Sequence, residues 1–349
     1  MRIDKLPTRA YNLFVKRAIV EAQLIVTRRC NLTCGYCTEH DNSSNPVAYD
    51  NLRRRVDALH RLRVTHITIL GGEPLLHPQI SQIVAYGRAH STVSITTNGS
   101  LVSDDIIERL NDADLNHMQV SIDSAEVDPT HYLQKTLKLL QPKLERLKAK
   151  ARFDVHLAAV LCEKSADGVE PLLQKASEIG MPITLSIVHD PTGRCAIKGE
   201  QYVSKWEYYG RQANQFGFGM IGFEYGRKLL AGEMPAWKCR AGARSLYIDE
   251  FGNAQYCSAQ MGRLNKPILE YSWNDVREQS RHRKGCESGC AVDCVFRASQ
   301  IDNDKRALMR ELLRSGLANR HGVQKYIERL LTGQGRRSVG RIPNTLAMK

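Results

Sequence analysis

Short apolar segments alternate with amphipathic segments from about residue 22 to residue 190. The apolar segments are rich in Val, Ile, Leu and Thr, and their near-continuous apolar character is typical of parallel strands buried on both faces. The segments between them repeat apolar residues at helical spacing. The pattern predicts six strands, at 23–27, 66–70, 92–97, 118–123, 155–161 and 183–188, with helices at 50–62, 103–110, 132–148 and 168–179.

Six successive strand–helix units with right-handed crossovers predict an α/β fold whose parallel sheet curls into a partial (β/α)6 barrel. In such barrels the chemistry lies at the C-terminal ends of the strands. After the barrel the elements become shorter and cysteines accumulate, which predicts a small second domain containing a β-hairpin and helices. The predicted units are an N-terminal extension (1–20), the barrel (21–190), a connector (191–235), the cysteine-rich domain (236–300), C-terminal helices (301–332) and a mobile basic tail (333–349).

The composition is that of a globular protein, with 349 residues, 42% apolar and 25% charged. No apolar run approaches the roughly 18 residues that a membrane span needs. Lys16 and Arg17 interrupt the only apolar stretch near the start, so we expect no secretory signal and a cytoplasmic protein. The formal net charge is +13. Much of it lies beyond residue 305, where a solvated basic tail is favoured over one that binds nucleic acid.

Eight of the ten cysteines fall into two groups, and Cys162 and Cys195 stand alone. Without a secretion signal, metal or cluster ligation is favoured over disulfides. The first group has the spacing C-x3-C-x2-C and directly follows the first predicted strand. Three thiolates on a tight loop can hold three irons of a 4Fe–4S cube and leave the fourth iron open to an exogenous ligand. A zinc site completed by His40 is the alternative. The three cysteines are Cys30, Cys34 and Cys37.

This loop resembles the signature of radical S-adenosylmethionine (radical SAM) enzymes. Three further segments at strand ends occur in the order that this family has. The resemblance covers about residues 20–190, and it implies that the three cysteines bind a 4Fe–4S cluster whose open iron holds the methionine end of S-adenosylmethionine. The three segments are Gly71-Gly72-Glu73-Pro74, Thr96-Thr97-Asn98-Gly99 and Ser121-Ile122-Asp123-Ser124.

The resemblance also implies roles for individual residues. Gly71, Gly72 and Glu73 would meet the methionine ammonium through backbone carbonyls and the acidic side chain. Independently of the family, glycines let a backbone approach closely, and a carboxylate favours a cation. Taken singly, each segment also fits an ordinary turn or a helix cap. The other implied contacts are Tyr36 with the adenine, and Asn98, Ser121 and Asp123 with the ribose or the substrate.

The second cysteine group surrounds a predicted strand–turn–strand at 245–253. It resembles the auxiliary-cluster extension of the same family, called SPASM with two clusters and twitch with one. Five cysteines suffice for one cluster with four ligands and one spare, so we expect one auxiliary 4Fe–4S cluster. A zinc knuckle is the alternative. The expected ligands are Cys239, Cys257 and two of the last three cysteines, with Cys290 and Cys294 favoured slightly over Cys286.

The resemblance implies reductive cleavage of S-adenosylmethionine to a 5′-deoxyadenosyl radical that removes hydrogen from a substrate. Dehydrogenation is favoured because an auxiliary cluster could accept an electron. Epimerisation is favoured equally because Cys195 or Cys162 could return a hydrogen atom. The alternative for each lone thiol is a small buried hydrophobe.

The expected partners follow from the same resemblance. An acidic electron donor such as flavodoxin or ferredoxin would reduce the cluster. Because only about twenty residues precede the first strand, a small-molecule substrate is favoured over a peptide. The alternative from a different class is a non-catalytic iron–sulfur or zinc protein that binds nucleic acid through its basic tail.

Overall fold

The computed structural model describes residues 18–37, 39–130, 132–216 and 222–303. The predicted tail at 333–349 and nearly all of the predicted C-terminal helices and N-terminal extension lie outside the described residues. Within these ranges, no helix combines the length and the apolar character needed to cross a lipid bilayer.

Six parallel strands form most of the sheet, and their bounds lie within two residues of the predicted ones. Neighbours in the chain are neighbours in the sheet, and each pair runs parallel. The predicted parallel α/β architecture is therefore confirmed, as an open sheet consistent with a partial barrel. The strands are β1 (Glu21–Thr27), β2 (His66–Gly71), β3 (Thr92–Thr97), β4 (His117–Ser121), β5 (Asp154–Leu161) and β6 (Ile183–Ile187).

The helices between these strands cover one face of the sheet. Alternate strand residues such as Leu24, Ile67 and Ile69 are almost fully buried against them, as expected where successive side chains point to opposite faces. The helices between the strands are α1 (Tyr49–Arg61), α2 (Ile80–Arg88), α3 (Asp104–Asp112), α4 (Leu137–Lys150) and α5 (Val169–Glu178), and two more, α6 (Glu200–Phe216) and α7 (Phe223–Leu230), follow β6.

Helix α4 begins five residues later than the predicted start at residue 132. The prediction was wrong because it followed apolar spacing alone and ignored the capping signal. The Thr136 hydroxyl accepts the backbone N–H of Leu139, which satisfies a donor that has no partner within the helix. Residues 132–136 therefore form a loop beside the C-terminal end of β4.

The hairpin of the cysteine-rich segment extends the barrel sheet. Strand β7 (Ser245–Ile248) pairs in parallel with β1, while β8 (Asn253–Gln255) and β9 (Lys266–Pro267) continue the sheet in antiparallel pairing. The strand order is β6-β5-β4-β3-β2-β1-β7-β8-β9. The expected domain at 236–300 thus shares its hairpin with the barrel, and α8 (Trp273–Arg281) and α9 (Asp293–Asn303) follow it.

Two arginines fix the hairpin turn to the barrel. The buried guanidinium of Arg55 on α1 donates to the carbonyls of Asp249 and Glu250, at 3.2 and 2.9 Å. Arg28, just after β1, pairs with the carboxylates of Glu250 and Glu39. Since Glu39 follows the first cysteine group, the hairpin and that loop are tied to the same guanidinium.

The face of the sheet opposite these helices is polar. We call it the inner face and define it by Glu21, Thr68, Ser94, His117 and His156. The Thr68 hydroxyl donates to the Glu21 carboxylate at 2.6 Å, and the Ser94 hydroxyl donates to Thr68 at 3.3 Å. The rings of His117 and His156 contact each other through their nitrogens. Hydrogen bonding between side chains of neighbouring strands thus replaces apolar packing on this face.

Candidate functional site

The first cysteine group lies on a tight loop that directly follows β1. Cys34 is buried, whereas Cys30 and Cys37 are half-buried. The Cys37 N–H donates to the Cys34 carbonyl at 3.1 Å, and the Gly35 N–H donates to the Tyr132 carbonyl at the same distance. The structure therefore places all three predicted thiols at the C-terminal end of the first strand, as a barrel site requires.

Glu73 joins the ends of three strands beneath this loop. Its side chain is fully buried, and its carboxylate accepts the Thr97 hydroxyl and the Asn98 N–H, both at 2.7 Å. It also accepts the Leu75 N–H at 3.0 Å, and the Glu73 N–H donates to the Arg29 carbonyl at 2.7 Å. Burial raises the pKa of Glu73, while the hydrogen bonds from Asn98, Thr97 and Leu75 oppose that effect. The predicted contact between this carboxylate and the methionine ammonium stays a prediction.

The two glycines before Glu73 let the β2 end pack directly on the end of β1. A Cβ atom on Gly71 would lie 2.0 Å from the Thr27 carbonyl oxygen, and one on Gly72 would lie 2.2 Å from the Arg29 carbonyl oxygen. Gly71 also has φ of 154°, which side-chain-bearing residues rarely adopt. Any larger residue would therefore push the cysteine loop away from the Glu73 turn.

A buried lysine connects the cysteine loop to the end of β4. The Lys135 ammonium lies 3.4 Å from the Cys34 sulfur and 3.1 Å from the Asp123 carboxylate, and it also contacts the Tyr36 hydroxyl. The Tyr36 hydroxyl donates to Asp123 at 2.5 Å. Asp123 further accepts the backbone N–H groups of Gln134 and Lys135. Tyr36 is the predicted adenine contact, and Asp123 is a predicted contact of the ribose or the substrate. Both side chains thus bond to each other and to Lys135, and their predicted contacts stay predictions.

Asn98 and Ser121 also lie at strand ends. The Asn98 side-chain amide donates to the side-chain oxygen Oδ1 of Asn31 at 2.9 Å, and its nitrogen lies 3.7 Å from the Cys30 sulfur. Ser121 ends β4 half-buried, in register with Ala158 of β5. The structure therefore brings Asn98 to the cysteine loop, and the predicted contacts of both residues with ribose or substrate stay predictions.

The thiols of the first group show the surroundings of cluster ligands. Burial raises the pKa of Cys30 and Cys37. The backbone N–H groups of Leu32 and Glu39, each two residues later in the chain, donate to these sulfur atoms and lower the same pKa values. In the second group, Cys239, Cys257 and Cys290 receive the same kind of bond, from Ala241, Ala259 and Val292. Hydrogen bonds to sulfur are one of the means by which proteins tune iron–sulfur clusters. The donor sets at both groups therefore fit such a cluster.

Four cysteines of the second group lie within electrostatic range of one another. Burial raises the pKa of Cys239 and Cys257 to about 12 and that of Cys290 to about 11, and neighbouring thiols, Cys286 among them, add to each shift. Cys294 lies instead near Glu21, Asp293, Cys257 and Arg297. Because Cys290 and Cys294 also pack against the apolar cluster that contains Cys239 and Cys257, the choice of ligands among the last three cysteines stays a prediction.

An apolar shell surrounds this second group. Trp237, Val292 and Phe296 pack with the buried Cys239 and Cys257.

Within the part of the chain that the structure describes, no three His, Cys, Asp or Glu side chains converge closely enough to hold a single metal ion.

The two lone cysteines lie in different places. Cys162 is buried just after β5, within electrostatic range of Tyr132, whose ring covers Gly35 of the first loop. The Cys195 thiol donates to the Ile197 carbonyl at 3.0 Å, and its N–H donates to the Gly289 carbonyl beside Cys290. Cys195 therefore lies near the second cysteine group, and a hydrogen-donor role for either thiol stays a prediction.

Sequence reasoning missed Lys135 and the role of Thr97. The apolar spacing puts Lys135 inside a predicted helix, although Thr136 directly after it is a preferred N-cap residue. A cap at Thr136 would have put Lys135 in the loop after β4, where barrel chemistry is expected. Thr97 was recognised only as part of a polar strand end, since no sequence pattern indicates a hydrogen bond to Glu73.

Residues 24–161 match the family model described as Radical SAM superfamily. The matched segment contains the three-cysteine loop, the Glu73 turn and Lys135. The chain contains a radical SAM superfamily domain. Proteins of this family use a 4Fe–4S cluster and S-adenosylmethionine, so the prediction of these two cofactors is confirmed at the level of the family.

Curated proteins of several activities resemble the radical SAM domain. The chain is 25% identical over 174 residues to mycofactocin maturase MftC of Mycobacterium tuberculosis, covering 48% of this chain and 44% of that protein. It is 26% identical over 175 residues to the AdoMet-dependent heme synthase of Methanosarcina barkeri, covering 48% and 50%. It is 34% identical over 115 residues to GTP 3′,8-cyclase of Chlorobaculum tepidum, covering 32% and 34%. The chain thus spans half or less of the length of these relatives.

Solved structures share the fold over most of the chain. SuiB of Streptococcus suis bound to precursor peptide SuiA has a TM-score of 0.58 at 15% identity, covering 83% of this chain and 74% of SuiB. The protein anSMEcpe with bound AdoMet and Kp18Cys peptide has a TM-score of 0.56 at 14% identity, covering 85% and 99%. At these identities the similarity shows the fold alone.

Replacing Lys135 by Met should weaken cluster binding at the first loop. The change removes the cation beside Cys34 and leaves the buried Asp123 carboxylate without its ion-pair partner, which is costly in a low-dielectric site. We expect less iron per chain after anaerobic reconstitution and a more negative midpoint potential of the Cys30–Cys37 cluster by EPR titration. Lys138→Met, which removes an exposed lysine 3.7 Å from Glu126, is the matched control. Equal iron content and potential in both variants would contradict this role.

Single replacements should identify the fourth ligand of the second group. Cys286→Ala should lower the iron and sulfide bound after reconstitution, by about half where the second four-iron cluster is lost entirely, because that cluster loses one of its four thiolates. Cys294→Ala should keep all of it, as should Cys195→Ala, the control for general effects of cysteine removal. The measurement is iron and sulfide per chain after anaerobic reconstitution. Loss from Cys294→Ala with retention in Cys286→Ala would restore the sequence-based preference.

Proposed function

We propose that this chain is a radical SAM enzyme that cleaves S-adenosylmethionine reductively and removes a hydrogen atom from a polar substrate. The observation that carries the proposal is the assembly around Glu73, which ties the ends of β2 and β3 to the loop of Cys30, Cys34 and Cys37. When bound, the cluster supplies the electron that breaks the sulfonium carbon–sulfur bond and yields a 5′-deoxyadenosyl radical. The protein supplies orientation and a water-poor site for that chemistry.

The side chains around the loop would divide the work of binding. Cys30, Cys34 and Cys37 would hold three irons. Because Glu73 is fully buried and already accepts three hydrogen bonds, we assign the methionine ammonium to the backbone carbonyls of Gly71 and Gly72. Glu73 would then act as a positioning residue that fixes those carbonyls.

The second cysteine group would hold one auxiliary cluster of the twitch type, on Cys239, Cys257, Cys286 and Cys290. Their mutual proximity and apolar shell support this assignment. When bound, a second cluster would give the one-electron product of hydrogen abstraction an electron acceptor. Of the two net reactions favoured by the sequence, we therefore propose dehydrogenation, with epimerisation as the alternative.

A peptide is the second candidate substrate. Two observations favour it: the similarity to a mycofactocin maturase and the shared fold with SuiB and anSMEcpe, both solved with bound peptides. A small molecule stays the first proposal because the inner face presents polar side chains, such as Thr68, Ser94 and His156, that are buried within the protein. The acidic electron donor and the cytoplasmic location stay predictions, and the nucleic-acid alternative depends mainly on a tail that lies outside the described residues.

Anaerobically reconstituted protein should release 5′-deoxyadenosine when given dithionite and S-adenosylmethionine. We expect 5′-deoxyadenosine above the level of a control without dithionite, measured by liquid chromatography, because reductive cleavage needs the electron that dithionite supplies. Cys34→Ala should release none, while Cys195→Ala should behave as the wild type under the cluster assignment above. A wild-type protein with its full iron content and no 5′-deoxyadenosine would contradict the proposal.

A further inference from the structure

A buried lysine lies in the loop that leads from α8 to the last three cysteines. Lys284 is 3% exposed and stands two residues before Cys286. Its ammonium group donates to the backbone carbonyl of Gln279 at 3.1 Å and to the side-chain oxygen Oε1 of the same residue at 2.7 Å. The ammonium nitrogen also lies 4.4 Å from the ring centroid of Tyr256, within the range of a cation–π interaction. The charged end of this side chain is therefore held inside the cysteine-rich domain.

The tyrosine that contacts Lys284 belongs to the surroundings of the second cysteine group. Tyr256 directly precedes Cys257 and packs against the apolar cluster that contains Cys239 and Cys257. Its hydroxyl donates to Gln279 Oε1 at 2.9 Å, so the same amide oxygen accepts both the tyrosine and the lysine. The ring of Tyr256 thus links the ammonium group to the surroundings of two predicted cluster ligands.

Glu287 ties the backbone of Lys284 to the same group. The Lys284 N–H donates to the Glu287 carboxylate at 2.9 Å, and the backbone N–H of Cys239 also interacts with that carboxylate. The Glu287 carbonyl accepts the indole N–H of Trp237 at 3.0 Å, and Trp237 packs with Cys239 and Cys257. A second, separate set of contacts therefore places Lys284 beside the second cysteine group.

The Lys284 ammonium has no close anionic partner in the described part of the chain. No carboxylate there lies within ion-pair distance of it, and no cysteine sulfur there accepts a hydrogen bond from it. The carbonyl end of α8, at Gln279, offers only a partial negative charge, which by itself would make Lys284 a helix-capping residue. A buried cation without a counter-ion is costly. Four thiolates would give a bound cluster a net negative charge in this region, so an occupied site would supply the counter-ion.

We propose that Lys284 is the buried counter-ion of the auxiliary cluster and makes that cluster easier to reduce. The inference rests on the proposed function, because it needs a cluster on the second cysteine group. A fixed positive charge favours the reduced state, which carries one more negative charge than the oxidised state. Lys284 does not touch the substrate in this account and acts through the cluster, so it is a positioning residue for electron transfer.

This role suits the dehydrogenation proposed above. The substrate loses a hydrogen atom to the 5′-deoxyadenosyl radical, then one electron to the auxiliary cluster and one proton to water. An oxidised electron carrier of the flavodoxin or ferredoxin class then takes the electron from the cluster. A cluster that is easier to reduce makes the loss of the electron from the substrate more favourable.

A redox titration of the second cluster tests the charge of Lys284. The full chain carries Cys30→Ala, Cys34→Ala and Cys37→Ala, so that the first loop holds no cluster, and EPR follows reduction near pH 7. Lys284→Met should make reduction about tenfold less favourable, which is about 59 mV more negative for one electron. Lys284→Gln should give the same shift, because its amide can still donate to Gln279 but carries no charge. Lys284→Arg should restore most of the original potential.

Two controls separate a buried charge from a surface effect. Lys138→Met removes an exposed lysine of α4 and should leave the potential unchanged. Arg283 is exposed and directly precedes Lys284. Any shift in Arg283→Gln should vanish at about 1 M salt, where exposed charges are screened beyond about 3 Å. The shift in Lys284→Gln should persist at that salt concentration because the side chain is buried.

The outcomes distinguish this inference from the function on which it rests. A Lys284→Gln protein with the original potential would show that the lysine only caps α8, and it would overturn the proposal. Loss of iron from the Met and Gln variants but not from Lys284→Arg would support the counter-ion role, whereas equal loss from all three would overturn it. A parent protein that binds zinc or no iron at the second group would overturn this inference and the auxiliary cluster together. Release of 5′-deoxyadenosine by the wild type would still test the first loop separately.

Discussion

The buried carboxylate of Glu73 is the interaction on which the rest of the site depends. Backbone N–H and C=O groups beyond the strand ends have no partner in the hydrogen bonding between parallel strands. Such groups occur at the end of β2, at the end of β3 and in the loop after β1. Glu73 accepts the donors from Thr97, Asn98 and Leu75, and its own N–H donates to the Arg29 carbonyl. A single side chain thus satisfies groups from separate segments, and it holds Asn98 within reach of Cys30. The close packing that Gly71 and Gly72 permit makes this geometry accessible.

The charges of the two cysteine groups are managed in different ways. At the first loop, a buried ammonium on Lys135 compensates both Asp123 and the thiol of Cys34. At the second group, an apolar shell isolates the thiols, and backbone N–H groups are their nearest polar partners. A low dielectric strengthens every charge left in the space between them.

The strands and their parallel order could be predicted because few folds other than a parallel sheet accommodate continuous apolar strands that alternate with helices. The three-cysteine loop and the Glu73 turn followed from residue type and from their place at strand ends. The start of α4 was wrong because a local cap at Thr136 outweighs apolar periodicity. The choice between Cys286 and Cys294 could not come from spacing, since the last three cysteines are evenly separated. The pairing of β7 with β1 likewise depends on tertiary contacts from Arg55 and Arg28.

The stability of Glu73→Gln, measured by urea unfolding of the metal-free protein, tests the central claim most directly. The substitution keeps the shape of the side chain but places an NH2 group against one of the N–H or O–H donors that the carboxylate accepts. Leaving such buried donors unpaired should lower the free energy of unfolding by about 1–3 kcal/mol, with faster amide hydrogen exchange in residues 28–37. Glu108→Gln should change neither quantity. A Glu73→Gln protein as stable as the wild type, with an equally protected cysteine loop, would contradict the account.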